Sequence, residues 1–185
     1  MISEKFDFIM EYHPHYKSLN SKLLKEAASS GYTEDSLYKG REDTSKFSLN
    51  LSSKSIDIIG SWVHTLLYNR YESLKGWNLE MKDAWFTTYH RGDVTVPHDH
   101  DPAYASWVYF VNTPKGSSPL VFTTSGKRIK AEEGKIVIFR SYVKHHVPRN
   151  KCDNRIVLVG NSVVLPFDLE KARNDGRSPI NRRRV

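Results

Sequence analysis

Apolar positions along the chain fall into two textures. Residues 17–30 carry Leu19, Leu23, Leu24 and Ala27 at intervals of three and four, the spacing of one helix face, with Gly31 as a stop. Residues 31–53 are polar and rich in Ser, Gly and charge, and read as a loop. A second helix is predicted from Ser55 to Tyr71, where Ile58, Ile59, Trp62, Val63, Leu66 and Leu67 form a stripe. His64, inside that helix, reads as a packing or capping residue. After Trp77 the pattern switches to short β-rich runs at 83–90, 94–100, 105–112, 119–124, 135–140, 144–148 and 155–164. Their breakers are Arg-Gly-Asp at 91–93, Pro-Lys-Gly-Ser-Ser at 114–118, Ser-Gly at 125–126 and Glu-Glu-Gly at 132–134. Seven short strands so spaced predict an antiparallel sandwich or barrel rather than alternating β-α units. The expected architecture is mainly β with N-terminal helices: a helical packing segment (1–76), a β core (77–165) and a tail (166–185). These are read as a single domain, because two helices in 80 residues offer little core of their own.

Composition changes this picture little. The chain has 185 residues, and its 12% of aromatic residues argues against general disorder. No apolar run approaches the ~20 residues needed to cross a bilayer. The start, Met-Ile-Ser-Glu-Lys-Phe-Asp, lacks the basic and then apolar pattern of a secretory signal. A single cysteine, Cys152, excludes an internal disulfide and a cysteine-based zinc site. A cytoplasmic location and no membrane partner are the expectation. Charge adds one feature. Residues 1–80 hold 10 basic against 11 acidic side chains, whereas residues 81–185 hold 18 against 10. Lys171 to Val185 alone supplies 6 basic and 1 acidic, ending in Arg182-Arg183-Arg184. A phosphate-bearing partner such as nucleic acid would suit that tail, but a solvated, frayed terminus is the favoured reading.

Candidate chemistry lies in the histidines. In Val96-Pro97-His98-Asp99-His100-Asp101, the strand period of two turns His98 and His100 to one face and Asp99 to the other. A second group, Lys144-His145-His146-Val147-Pro148, follows about 45 residues later, and alternation lets only one of its imidazoles face the same interior. Three neutral imidazoles suit iron, copper, nickel or zinc and leave coordination positions open. The alternative is a pair of edge-strand histidines that hold no metal. Arg155 heads the otherwise apolar strand Arg155-Ile156-Val157-Leu158-Val159-Gly160-Asn161, where a guanidinium needs a partner. A bidentate carboxylate is its natural mate. His13 and His15 near the N-terminus, His90 beside Tyr89, the four tryptophans and Cys152 read as surface or packing residues.

Taken in order, Tyr89-His90-Arg91-Gly92-Asp93, His98-Asp99-His100, Ser106-Trp107-Val108-Tyr109-Phe110, the Glu133-Gly134 to Phe139-Arg140-Ser141 run, His145-His146-Val147-Pro148 and Arg155-Ile156 to Asn161 resemble the 2-oxoglutarate- and iron(II)-dependent oxygenases. More narrowly they are similar to the compact prolyl-hydroxylase-like branch seen in cyanophages and marine bacteria, which would place the protein in a host cytoplasm if phage-encoded. The resemblance covers roughly residues 77–165. It implies a double-stranded β-helix, or jelly-roll, core and an Fe(II) site with 2-oxoglutarate and O2 as cosubstrates, ascorbate being a further reductant. His98 and His145 would be metal ligands. Arg155 would hold the far carboxylate of 2-oxoglutarate, and Tyr89 would donate to the same molecule. Tyr109 and Ser106 would reach that pocket, as would Asn161, an even number of residues from Arg155.

One position departs from the family pattern. The wider superfamily places Asp or Glu two residues after the first histidine, where this chain has His100. Either the site is three-histidine, as alternation favours, or a β-bulge turns Asp99 or Asp101 inward. The implied activity is hydroxylation of a small molecule or of a prolyl or other peptide or amino-acid substrate. Two readings compete with it. A cupin-like three-histidine metalloenzyme without 2-oxoglutarate explains the histidines but gives Arg155 no task. A non-catalytic β-sandwich that binds a partner gives neither a task.

Overall fold

The computed structural model describes residues 7–29, 33–34, 43–47 and 53–166; the basic tail lies outside the described residues. Helix α1 (Tyr16–Ser29) buries Leu19, Asn20, Leu23 and Ala27. Helix α2 (Lys54–Arg70) buries Ile56, Ile59, Gly60, Val63 and Leu67. Both lie within a residue of the ranges that their apolar spacing predicts. Ser53 caps α2, its hydroxyl accepting from Ile56 N at 3.4 Å, which satisfies one donor that the first turn leaves open. Glu26 of α1 accepts from the hydroxyls of Ser53 and Ser55, so one carboxylate ties the two helices together.

Eleven strands are present among the described residues. They are β1 (Phe8–Tyr12), β2 (Thr33–Glu34), β3 (Asp43–Phe47), β4 (Trp77–Tyr89), β5 (Thr95–His98), β6 (Ala105–Asn112), β7 (Leu120–Phe122), β8 (Arg128–Ile129), β9 (Lys135–Arg140), β10 (His145–Val147) and β11 (Arg155–Pro166). All the pairings are antiparallel. A seven-stranded sheet runs β1-β9-β6-β11-β4-β3-β2, and a four-stranded sheet runs β5-β10-β7-β8. The inner strands of the large sheet together with the small sheet make the jelly-roll core.

Several elements depart from the sequence reading: β8 (Arg128–Ile129) falls in no predicted run, and β4 begins six residues before the predicted 83. The stretch 31–53, expected to be a loop, contains β2 and β3, and β3 extends the large sheet along residues 84–88 of β4. Strand β1 was not expected at all. It pairs with β9 from Phe8↔Phe139 to Tyr12↔Lys135, a partnership with residues far along the chain that local periodicity does not encode.

Alternation along the central strands separates two cores. Trp107, Tyr109, Val111, Ile136, Ile138 and Leu158 pack with the buried helix residues. Val108, Phe110, Val137, Phe139 and Val157 face the other way, onto Leu120, Phe122 and Val147 of the small sheet. The large sheet is therefore covered on both faces, so these strands read as unbroken apolar runs rather than as strict alternation. Gly160 is required where Trp107 crosses β11, because a Cβ there would collide with the indole and would lie 2.7 Å from Asp83 O.

Candidate active site

The small sheet presents its histidines at the open end of the inter-sheet core. His98 closes β5 and stands directly opposite His145 of β10. The register between these strands then slips: the two steps from His145 to Val147 on β10 face the three steps from His98 to Thr95 on β5. This bulge turns Thr95 and His98 to the same cavity although their spacing is odd. His100 lies two residues beyond the strand rather than within it. It is fixed by backbone bonds from its N to Ser141 O (2.8 Å) and from Ala103 N to its O (3.0 Å).

The ligand atoms of His98, His100 and His145 all lie within 4.8 Å of one another. Ring centroids are 4.4 Å apart for His98–His145, 4.9 Å for His98–His100 and 5.2 Å for His100–His145. Two of the three tautomers follow from the hydrogen bonds. His98 Nδ1 is 2.9 Å from Val96 O and His145 Nδ1 is 3.0 Å from Val143 O. A carbonyl only accepts, so both Nδ1 atoms carry the proton and both Nε2 atoms offer a lone pair. His145 is 4% exposed, and burial together with the neighbouring His98 pushes its pKa down to about 3. Burial also lowers His98, against the opposing pull of Val96 O and Asp99. Both rings are thus neutral at neutral pH, the form that binds a metal. Phe139 packs edge-on to His145 at 4.7 Å and Trp85 to His100 at 5.8 Å, which limits ring rotation.

The structure thereby groups His100 with the other two imidazoles, while Asp99 accepts a 3.4 Å bond from Asp101 N and neither acid joins the cluster. Of the second histidine pair, His145 faces the cluster and His146 engages Thr123 Oγ1 at 2.9 Å.

Arg155 lines the same cavity. It is 0% exposed, and its Nε donates to Ser118 O at 3.0 Å. Its guanidinium lies over the Tyr89 ring at 4.4 Å and the Phe110 ring at 5.6 Å. Nη1 and Nη2 are buried with no hydrogen-bond partner. Burial lowers the guanidinium's pKa, with Tyr89 pulling it back up, but an arginine starting above 12 stays charged. Unpaired donors on a buried cation are costly, and a carboxylate is the group that matches both Nη atoms at once. Tyr89, opposite Arg155 in register, shares a 2.7 Å bond between its hydroxyl and Thr95 Oγ1, and both side chains line the cavity.

Two expected pocket residues sit elsewhere. Tyr109 is on the helix-covered face, where its hydroxyl donates to Asn20 Oδ1 at 2.7 Å; it does not line the cavity. Ser106 and Tyr109 are three residues apart on one regular strand, so only one can face inward, and it is Ser106. Asn161 stands behind Ser106, accepting from its hydroxyl at 2.7 Å and donating to Asp83 Oδ1 at 2.7 Å. The remaining histidines are accounted for locally: His64 Nε2 lies 3.3 Å from Ser162 Oγ, His13 packs edge-on to Trp62 and accepts from His15 N at 3.2 Å, and His90 lies 3.9 Å from Asp153.

Sequence reasoning missed Thr95, Ser118 and Asn150. Asn150 is 1% exposed; its amide accepts from Ser118 N at 3.0 Å and donates to Cys152 O at 2.7 Å and His90 O at 3.3 Å. It ties the segment that supports Arg155 Nε to the end of β4, and nothing in its local sequence marks that role.

No family model and no curated protein matches the sequence. Solved structures do. The viral collagen prolyl hydroxylase of Paramecium Bursaria Chlorella virus-1, in its 2-oxoglutarate complex, matches 88% of this chain and 98% of its own with 15% identity and a TM-score of 0.68. A Pseudomonas putida prolyl-4-hydroxylase matches 88% and 94% at 17% identity and 0.67. A Trichoplax adhaerens prolyl hydroxylase, in complex with a hypoxia inducible factor peptide fragment, matches 94% and 89% at 14% identity and 0.67. The similar structures come from a virus, a bacterium and Trichoplax adhaerens, so the match does not single out the cyanophage and marine branch. The fold of the chain is that of the 2-oxoglutarate- and iron(II)-dependent oxygenases, a double-stranded β-helix backed by helices.

Proposed function

We propose that the chain is a 2-oxoglutarate- and Fe(II)-dependent hydroxylase whose metal is held by His98, His100 and His145. The observation that carries this reading is Arg155: a fully buried cation with two unpartnered Nη groups, lining the same cavity as the three imidazoles. A three-histidine metal site alone has no use for such a cation, whereas a dicarboxylate spanning the cavity has. Iron would supply the activation of O2, with 2-oxoglutarate as the two-electron reductant that leaves as succinate and carbon dioxide.

The chain's own residues do the rest. His98 and His145 present Nε2 with Nδ1 fixed to a carbonyl two residues back, so neither ring needs to reorganise on binding. Arg155 orients the far carboxylate, and the Tyr89–Thr95 hydroxyl pair beside it, one proton of which is used between the two, has one proton left to donate. The apolar walls from Val108, Leu120, Val147 and Val157 limit water around the reacting centre. A prolyl, other peptide or small-molecule substrate is inferred from the structural neighbours, one of which was captured with a peptide fragment.

The cupin-like alternative draws on His100, since three neutral ligands also suit metalloenzymes that use no 2-oxoglutarate. Anaerobic Fe(II) titration separates the two. The hydroxylase reading expects a visible charge-transfer band only when 2-oxoglutarate is added, and succinate on admission of air. Arg155→Ala should weaken 2-oxoglutarate by about 2–3 kcal/mol, or about 30- to 150-fold. Absence of the band, with 2-oxoglutarate affinity unchanged in Arg155→Ala, would rule out the cosubstrate.

A further inference from the structure

The charge inventory of the cavity carries a consequence for how the site fills. Among the described residues that line it there is no aspartate and no glutamate, and Arg155 is the one Lys or Arg side chain. The nearby acids are spoken for: Asp83 accepts from Asn161, and Asp99 acts on His98 from outside the lining. An imidazole ligates a metal in its neutral form, so on metal binding the lining itself contributes one positive charge, from Arg155, and no negative one. A divalent metal entering alone would bring the total to +3 between largely apolar walls, where charge is poorly screened. In a site whose third ligand is a carboxylate, that ligand would cancel one of these charges. Here His100 stands in its place.

Resting on the oxygenase reading above, we propose that the divalent metal and the dicarboxylate bind this cavity as an interdependent pair, the dianion supplying the negative charge that His100 does not. Binding free energies are reciprocal, so whatever the dianion does for the metal, the metal does for the dianion. Arg155 has two opposite effects: it attracts the dianion and repels the bare metal. Simple chelation by the keto acid would also couple the two ligands, but it would do so regardless of what occupies positions 100 and 155. The charge argument predicts that both positions matter, and in which direction.

The test is anaerobic calorimetric titration of the protein with Co(II), with and without saturating 2-oxoglutarate. Wild type should bind Co(II) at least about thirtyfold more tightly with 2-oxoglutarate, equivalent to about 2 kcal/mol. His100→Asp should bind Co(II) alone about tenfold more tightly than wild type, with a correspondingly smaller gain from 2-oxoglutarate. Arg155→Met should also bind Co(II) alone more tightly, although Arg155 ligates no metal; a purely structural role for the arginine would leave that affinity unchanged or lower it. Circular dichroism on each variant verifies the fold, and it is the difference between variants, not the wild-type gain alone, that separates the charge effect from chelation. Equal Co(II) affinity with and without 2-oxoglutarate overturns the inference. So does a gain that is the same in wild type, His100→Asp and Arg155→Met. In either case tight Co(II) binding lost in His98→Ala leaves the metal-site reading in place. No Co(II) binding under any condition overturns the site itself.

Discussion

On the helix-covered face of the seven-stranded sheet, the buried Tyr109 hydroxyl donates to Asn20 Oδ1, and Asn20 Nδ2 in turn donates to Val111 O at 2.7 Å. On the face turned to the small sheet, buried Arg155 keeps one bond, from Nε to Ser118 O, and leaves both Nη groups without a partner. The helix side has an exception in Trp107 Nε1, which is also unpartnered, but an unpaired neutral N–H is a smaller penalty than unpaired donors on a guanidinium. Tyr109 and Arg155 are both fully buried, and they differ in whether their polar groups are closed within the protein. One face is finished as a core. The other is finished only with a ligand, and the comparison separates residues that hold the fold from residues that wait for chemistry.

The largest expected effect tests the unfinished face. The double variant His98→Ala, His145→Ala should lose Co(II) binding altogether, by at least about a hundredfold in affinity, while retaining the far-ultraviolet circular dichroism of wild type. Where the Trp107 indole backs the cavity, Gly160→Ala should destabilise by about 3 kcal/mol, because the added methyl meets that indole and the Asp83 carbonyl and a packed core yields little. Chemical denaturation would measure it, and a loss under 1 kcal/mol would mean that the Trp107 packing is soft.

Acid provides the third test. His145 is held neutral down to about pH 3 in the fold, whereas an unfolded histidine takes up a proton near 6.5. The unfolded state therefore binds more protons below 6.5, and stability is full above that pH and falls as the pH drops. For this one group the metal-free protein should lose about 2 kcal/mol between pH 7.5 and pH 5, a loss that His145→Gln should largely remove. The smallest effect is Tyr109→Phe, about 1 kcal/mol of stability from the lost bond to Asn20. Unchanged 2-oxoglutarate binding in that variant would sharpen the division between faces, and weakened binding would blur it.

Local pattern went far on the fold and only part of the way on the site. Helices α1 and α2 and the central strands were legible because each carries its own apolar periodicity. Strand β1 was not, because Phe8 to Tyr12 become a strand only against β9, far along the chain. At the site, His98 and His100 stood out by their spacing of two and Arg155 as a charged group heading an apolar strand. The choice of His145 over His146 depends on which strands flank β10, and the exclusion of Tyr109 depends on counting parity from Ser106. Thr95 could not be reached by parity at all, since its facing is set by the bulge in β5.

That bulge changes what kind of variation the site tolerates. Between Thr95 and His98 the number of residues decides which side chains enter the cavity, while Val96 is exposed and free to vary in kind. A one-residue deletion at Val96 or Pro97 would remove no side chain that lines the cavity, yet it would shift the frame of β5 against β10 and turn Thr95 away from Tyr89. Along this stretch spacing is the inherited quantity, so insertions and deletions would be far less tolerated than exchanges of one residue for another.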